Sequence, residues 1–357
     1  MKNTVFGVAL ISAAAIAACL PGAGPGRLAY VSNLMSHTVS VIDLDGGEWL
    51  RDIDLGRYPI FSSLHPRDAT KMILALHNYD RKEDEDLLVL VDLKTEKIVR
   101  KAAFPGAGLP SGFAYDLKRD RIYIADENLH RIFALDGMTL EVLFELPAGL
   151  VPVHVDISPD GRWLVATNRK SADLYLYDLD DPARSSKTGI CVIRLGPAPG
   201  LAWDPDESGK APFSHPVDVK FGADPRTCYV TDFNARSLLA VDVEKREVVS
   251  RVAFDRTPFD LTLNGDRTVG YVCLIEGDAI SVIDLITMKP VAEIAGVGPQ
   301  PIHCALDEER GRLVVACWGG MKTGGIRIVD LKTRKVVKSV SPAGAMASIG
   351  ITIAGRR

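Results

Sequence analysis

The stretch "RTCYVTDFNARSLLAVDVEKREVVSRVAF", Arg226 to Phe254, alternates apolar and polar residues in three short runs. Polar turns part the runs, and "PVDVKF", Pro216 to Phe221, supplies a fourth run just before them. Alternation with a period of two, bounded by Asp, Gly and Pro, marks half-buried strands. The third run ends in "V-x-D" at Asp242, and that ending or a near variant recurs at Asp43, Asp92, Asp136, Asp178, Asp284 and Asp330. The intervals along the chain are 49, 44, 42, 64, 42 and 46 residues. A unit of four strands repeating every 40–45 residues or so is the pattern of a β-propeller blade.

Counting strands fixes the closure. The first copy, from Arg27, holds only three runs, and the chain ends in an unpaired one, "ASIGITIAG". That last run can complete the first sheet and close the ring, which removes exposed sheet edges. The sequence therefore predicts an all-β fold: a seven-bladed β-propeller with four-stranded antiparallel blades, closed by the C-terminal strand in the first blade. The segments "AYVSNLMSHTVSVIDL", "CYVTDFNARSLLAVDV" and "GYVCLIEGDAISVIDL" resemble the YVTN-type repeats of surface-layer and periplasmic seven-bladed propellers. The resemblance runs from about Arg27 to the end. It implies a fold and an accessory or binding role, without naming a chemistry, because one fold hosts many functions.

Residues 1–18 read differently. "MKNTVFGVALISAAAIAAC" carries one Lys and then an apolar run too short to span a bilayer, as in a bacterial secretory signal. "IAAC", ending at Cys19, is similar to a lipobox, which implies lipid on Cys19 and anchoring in the periplasm or cell envelope. The alternative is a plain signal cut near Ala17. Residues 19–26, with "LPGAGPG", read as a tether, and 27–357 as the propeller. A formal charge of −4 with dispersed Lys and Arg leaves no electrostatic footprint for nucleic acid, so none is expected as a partner. The expected assembly is a monomer that touches a membrane only through its lipid.

Five cysteines remain: Cys191, Cys228, Cys273, Cys304 and Cys317. No C-x-x-C or C-x-x-C-H occurs, so attached c-type haem and a zinc ribbon have no support. Export permits disulfides, with Cys304–Cys317 or Cys228–Cys273 as possible pairs, but buried free thiols are the leading expectation.

Prolines 59, 110, 152, 216, 258 and 301 each open an inner strand. Strict alternation sends Val153, Val155 and Ile157, or Val217, Val219 and Phe221, against a neighbouring blade. Ile302, Cys304 and Leu306 should do the same. The opposite face begins two residues after each proline, giving a channel ring of Phe61, Gly112, His154, Asp218, Asp260, His303 and, in the closing strand, Gly350. A second ring follows with Ser63, Ala114, Asp156, Lys220, Thr262, Ala305 and Thr352. His154, Asp218, Asp260 and His303 are the candidate ligand or metal residues. Two facing carboxylates require a partner, a proton or a metal. Lys220 is placed to pair with Asp156.

The loops between second and third strands emerge at the same end as this ring, together with those leading into the inner strands. That end receives His37, His77, His130 and His215, with Trp318, Arg169, Lys170, Arg236 and Lys322; only His65 lies at the other. The long insertion "GPAPGLAWDPDESGKAPFSHP", Gly196 to Pro216, enters there too and reads as a lid.

Three functions fit. One is a binding propeller that holds a small molecule, a metal ion or an envelope protein at the mouth. Another is an enzyme or redox accessory using a transition metal there or, less favoured, a haem-type tetrapyrrole. The mixed His and carboxylate set suits zinc, iron or copper. The third is an envelope scaffold that works through its sides. No G-x-S-x-G elbow or phosphate loop supports nucleophilic catalysis or nucleotide binding.

Overall fold

The computed structural model describes residues 26–77, 87–104, 108–181, 191–195, 214–318, 325–341 and 348–354. The proposed signal, Cys19, the tether as far as residue 25, Lys322 and residues 196–213 of the insertion, with Trp203 and Phe213, lie outside these residues.

Seven four-stranded antiparallel sheets form the predicted ring. Blade 1 holds β1 (Leu28–Asn33), β2 (Thr38–Asp43) and β3 (Glu48–Asp54). Blade 2 holds β4 (Tyr58–His65), β5 (Asp68–His77), β6 (Leu87–Asp92) and β7 (Lys97–Ala103). Blade 3 is β8 (Pro110–Asp116), β9 (Arg121–Asp126), β10 (Arg131–Asp136) and β11 (Val142–Pro147). Blade 4 is β12 (Pro152–Ile157), β13 (Trp163–Asn168), β14 (Asp173–Asp178) and β15 (Cys191–Arg194). In blade 5 come β16 (Pro216–Phe221), β17 (Thr227–Asp232), β18 (Ser237–Asp242) and β19 (Glu247–Ala253). In blade 6 come β20 (Pro258–Leu263), β21 (Val269–Leu274), β22 (Ala279–Asp284) and β23 (Lys289–Ala295). Blade 7 is β24 (Pro301–Asp307), β25 (Arg312–Cys317), β26 (Gly325–Asp330) and β27 (Lys335–Val340). The last strand, β28 (Ser348–Ala354), pairs antiparallel with β1 and closes the ring as the innermost strand of blade 1.

The repeated residues have local tasks. Each "V-x-D" aspartate ends a third strand and accepts backbone N–H groups of the following turn. Asp92 takes those of Lys94 and Thr95 at 3.0 and 2.8 Å, and Asp284 those of Ile286 and Thr287 at 2.9 and 3.0 Å. An Asp can thus replace a backbone turn partner. The Asn or Asp that closes several second strands ties down the loop arriving beside it. Asn168 accepts from Gly149 N at 3.1 Å, Asp126 from Leu109 N at 3.0 Å, and Asp232 from His215 N at 2.9 Å.

The core lies between blades. Val165 and Leu176 of blade 4 pack with Val219, Phe221 and Val230 of blade 5, and Ala29 and Ile42 of blade 1 meet Val314 and Ile328 of blade 7. The five described cysteines are free thiols, four of them buried. Neither suggested pair forms; Cys273 instead lies beside Cys304 of the next blade.

Candidate functional site

Every inner strand carries a β-bulge near its first residues, where its register against the second strand slips. In blade 4, Pro152 faces Asn168 but His154 faces Thr167; in blade 6, Pro258 faces Leu274 and Leu261 faces Val272. The closing strand slips likewise between Ser348 and Gly350. A bulge inserts an extra residue and re-aims side chains. Two successive residues per blade therefore face the mouth where strict alternation allowed one. Val153, Val217 and Ile302 line the mouth, correcting the expectation that they serve only to pack between blades. Ile60, Phe259 and Ile349 occupy the equivalent positions, and Ser111 is the polar exception. Past the bulge the expected alternation resumes, and Val155, Val219 and Cys304 are buried between blades.

These apolar residues form the walls of a cavity of about 590 Å³. Phe233, Ile275 and Trp318 extend the walls from the second-to-third strand loops. His154, Asp218, Asp260 and His303 all line it, so four consecutive blades do bring the predicted set together. Gly112 makes room for one member: a Cβ there would stand 2.3 Å from His154 Cδ2. Phe61 of blade 2 reaches His154 edge-on across that gap, with ring centroids 5.5 Å apart.

The carboxylates have two duties. The inner edge of an inner strand lacks a neighbouring strand, and buried N–H groups need acceptors. Asp156 Oδ2 takes Phe221 N at 2.6 Å, Asp218 Oδ2 takes Leu261 N at 2.9 Å, and Asp260 Oδ2 takes Cys304 N at 3.2 Å. Each bond ties a blade to the next. The second oxygens of Asp218 and Asp260 face the site. Lys220 Nζ donates to Asp218 Oδ1 at 2.9 Å, so the expected Lys220–Asp156 pairing gives way to a bond within the inner strand of blade 5. Asp156 still attracts the ammonium, as does Asp260.

This cluster sets the protonation states. Burial drives the His154 imidazole down to about 3, assisted by the Lys220 charge, so it is neutral at ordinary pH. Its Nδ1 lies 3.1 Å from Asp218 Oδ1 without being directed as a hydrogen bond. Burial alone would raise Asp218, but the Lys220 ammonium and the backbone N–H of Leu261 hold it below the usual carboxylate range. Burial lifts Asp260 to about 6, although His303 opposes the shift. His303 Nε2 stands 3.7 Å from Asp260 Oδ1, beyond hydrogen-bond reach, and its buried Nδ1 has no partner.

Of the secondary candidates, His77, His215, Arg169 and Trp318 line the cavity; His37, His130 and Arg236 do not. His77 Nε2 contacts Pro110 O at 2.5 Å, and burial lowers its imidazole to about 4. His215 is lowered to about 4 by burial and Arg169, and its ring tilts against Phe233. His130 Nδ1 accepts Val151 N at 3.1 Å, His37 meets the Tyr58 ring, and Arg236 pairs with Glu276 at 3.2 Å. These three serve loop structure. Sequence reasoning missed Glu127, which also lines the cavity and binds Arg169 at 3.1 Å. Its place directly after Asp126, at the end of a second strand, was the available signal.

The donor set of the mouth does not converge on a metal. Among the described residues, the grouping of three potential ligand atoms within 4.8 Å of one another is Asp260, Cys273 and Cys304. The Lys220 ammonium already supplies the cation that the facing carboxylates require. What the mouth offers is an apolar cavity with neutral imidazoles and a charge-compensated floor.

No family model matches the chain, and no curated protein matches it. Solved structures do. A functionally unknown protein from Desulfotomaculum acetoxidans is 14% identical over 93% of this chain and 100% of its own, with a TM-score of 0.68. Hydrazine synthase of Kuenenia stuttgartiensis is 15% identical over 84% of this chain and 91% of its own, at 0.65. The dihydro-haem d1 dehydrogenase NirN, solved in complex with DHE, is 19% identical over 90% of this chain at 0.60. The match spans 65% of that protein. At these identities the likeness shows the fold alone.

Proposed function

We propose that the protein is an exported propeller, of the YVTN-repeat kind, that binds a flat, uncharged organic molecule in its mouth. The observation that carries this reading is the cavity of about 590 Å³, whose six apolar inner-strand positions surround a floor of neutral imidazole and lysine-compensated carboxylate. Sites for small molecules are commonly concave, mostly apolar and equipped with a few directed polar groups. Phe259 and Trp318 take the ring system, and His154 and His303 meet a hydrogen-bonding group on it. The signal-like residues 1–18 and the cysteine at 19 support a form carrying lipid on Cys19, which mass spectrometry of the mature chain tests; an unmodified Cys19 would refute it.

Nile red, a planar uncharged dye, tests the binding. One saturable site is expected, weakened at least tenfold by Phe259→Lys in a protein that still melts cooperatively. No saturable site, or one indifferent to Phe259→Lys, would overturn the reading. The second reading is a tetrapyrrole held through an imidazole; the unpartnered Nδ1 of His303 favours it, as does the fold shared with a protein solved with DHE. Hemin separates the two. A Soret shift abolished by His154→Ala/His303→Ala supports the tetrapyrrole, and its absence removes that reading.

A further inference from the structure

Beneath the mouth, Asp260 of blade 6 belongs to a second constellation. One of its carboxylate oxygens and the sulfurs of Cys273 and Cys304 lie within 4.8 Å of one another. The two thiols come from adjacent blades, on β21 and β24, and both side chains are buried. Cys228 and Cys317 are buried too, yet neither joins a grouping of this kind among the described residues. His303 stands at its edge, with Nε2 3.7 Å from the Asp260 carboxylate and a buried Nδ1 that lacks a partner.

From this convergence we infer that Asp260, Cys273 and Cys304 form a binding site for a thiophilic divalent ion of the zinc type, with His303 available as a fourth donor. The distances suit it. Tetrahedral zinc with sulfur at about 2.3 Å and oxygen or nitrogen at about 2.0–2.2 Å places its ligands roughly 3.3–3.8 Å apart. Contraction of about 1 Å from the present spacing is enough. Two thiolates with one carboxylate and an imidazole select a borderline-soft ion over magnesium or calcium. Access would be through the mouth, because Asp260 and His303 line the cavity, although Cys273 and Cys304 do not. Binding is a balanced exchange: the ion enters, two S–H bonds break, two metal–sulfur bonds form, and two protons leave to solvent. Nothing is oxidised or reduced. Occupancy would join blades 6 and 7 beside the mouth, sharing Asp260 and His303 with the cavity lining.

Cobalt(II) reports such a site by thiolate-to-metal charge transfer in the near ultraviolet. Titrated into the purified protein with a non-thiol reductant, it should saturate at one equivalent and be displaced by zinc. Cys273→Ala and Cys304→Ala should abolish the band, and Cys228→Ala should retain it. Asp260→Asn, which keeps an oxygen for Cys304 N, should weaken cobalt binding at least tenfold. Zinc added to the wild type should release two protons per ion, a measurement that needs no variant to fold. Absence of the band, its survival in Cys273→Ala, or zinc uptake without proton release would each overturn the inference. Because Cys273 does not line the cavity, loss of metal with Nile red binding intact distinguishes this site from the mouth.

Discussion

At the scale of single residues, the floor of the mouth is governed by burial. His154, His77 and His215 are held neutral in the folded chain, at about 3, 4 and 4, against an ordinary 6.5. Between pH 6.5 and 4 the unfolded chain therefore binds protons at these positions that the folded chain refuses, and stability falls as pH falls. Asp260 has the opposite sign. Raised to about 6 from 3.8, it favours the folded state on acidification within that window. Burial also raises the carboxyls of Asp126, Glu127, Asp156 and Asp173, so the net slope is a balance, within which the neutral His154 imidazole makes the melting temperature fall from pH 7 to pH 5. Replacing His154 by Gln should remove that contribution; a slope unchanged by the substitution would contradict a neutral buried imidazole. The candidate quartet itself was legible, since its members stand two residues after successive prolines. Lys220 was legible as a cation of the second ring, but its choice of Asp218 over Asp156 depends on side-chain reach, which spacing does not reveal.

At the scale of elements, the inner strand explains both what the sequence disclosed and what it concealed. Alternation placed His154 and Asp218 correctly and buried Val155 and Val219 correctly. It misplaced Val153 and Val217 because one inserted residue resets a period of two. Nothing in "PVHVDI" or "PVDVKF" distinguishes a bulged strand from a regular one. The inner-strand edge has no partner strand and is satisfied by side chains, and this is why carboxylates recur there. Asp156→Ala should strand the Phe221 N–H between blades 4 and 5 and destabilise the fold by about 1–3 kcal/mol. Asp156→Asn should recover most of that loss, because its amide oxygen can accept the same bond. Equal losses in the two variants, measured by denaturant unfolding, would rule out the tie.

At the scale of the whole molecule, the repeated aspartates and the orphan strand at the C-terminus specified seven blades and their closure. Cohesion between blades makes the inner strands a rigid frame, and rigid frames position sites well. The polarity of the ring was equally readable: His77, Arg169, His215 and Trp318 all reach the mouth as their loops required. Three other predicted members of that end are diverted to loop structure, a distinction decided by side-chain partners. The central claim is that the bulges open an apolar cavity by turning two residues per blade toward the mouth. Phe259 and Leu261 give the most direct test, because strict alternation would put them on one face. Single cysteines at these positions should react with N-ethylmaleimide at rates differing at least a hundredfold, with Phe259→Cys fast, Leu261→Cys slow, and Nile red protecting the fast site. Equal rates, or a fast site that the dye leaves unprotected, would contradict the account.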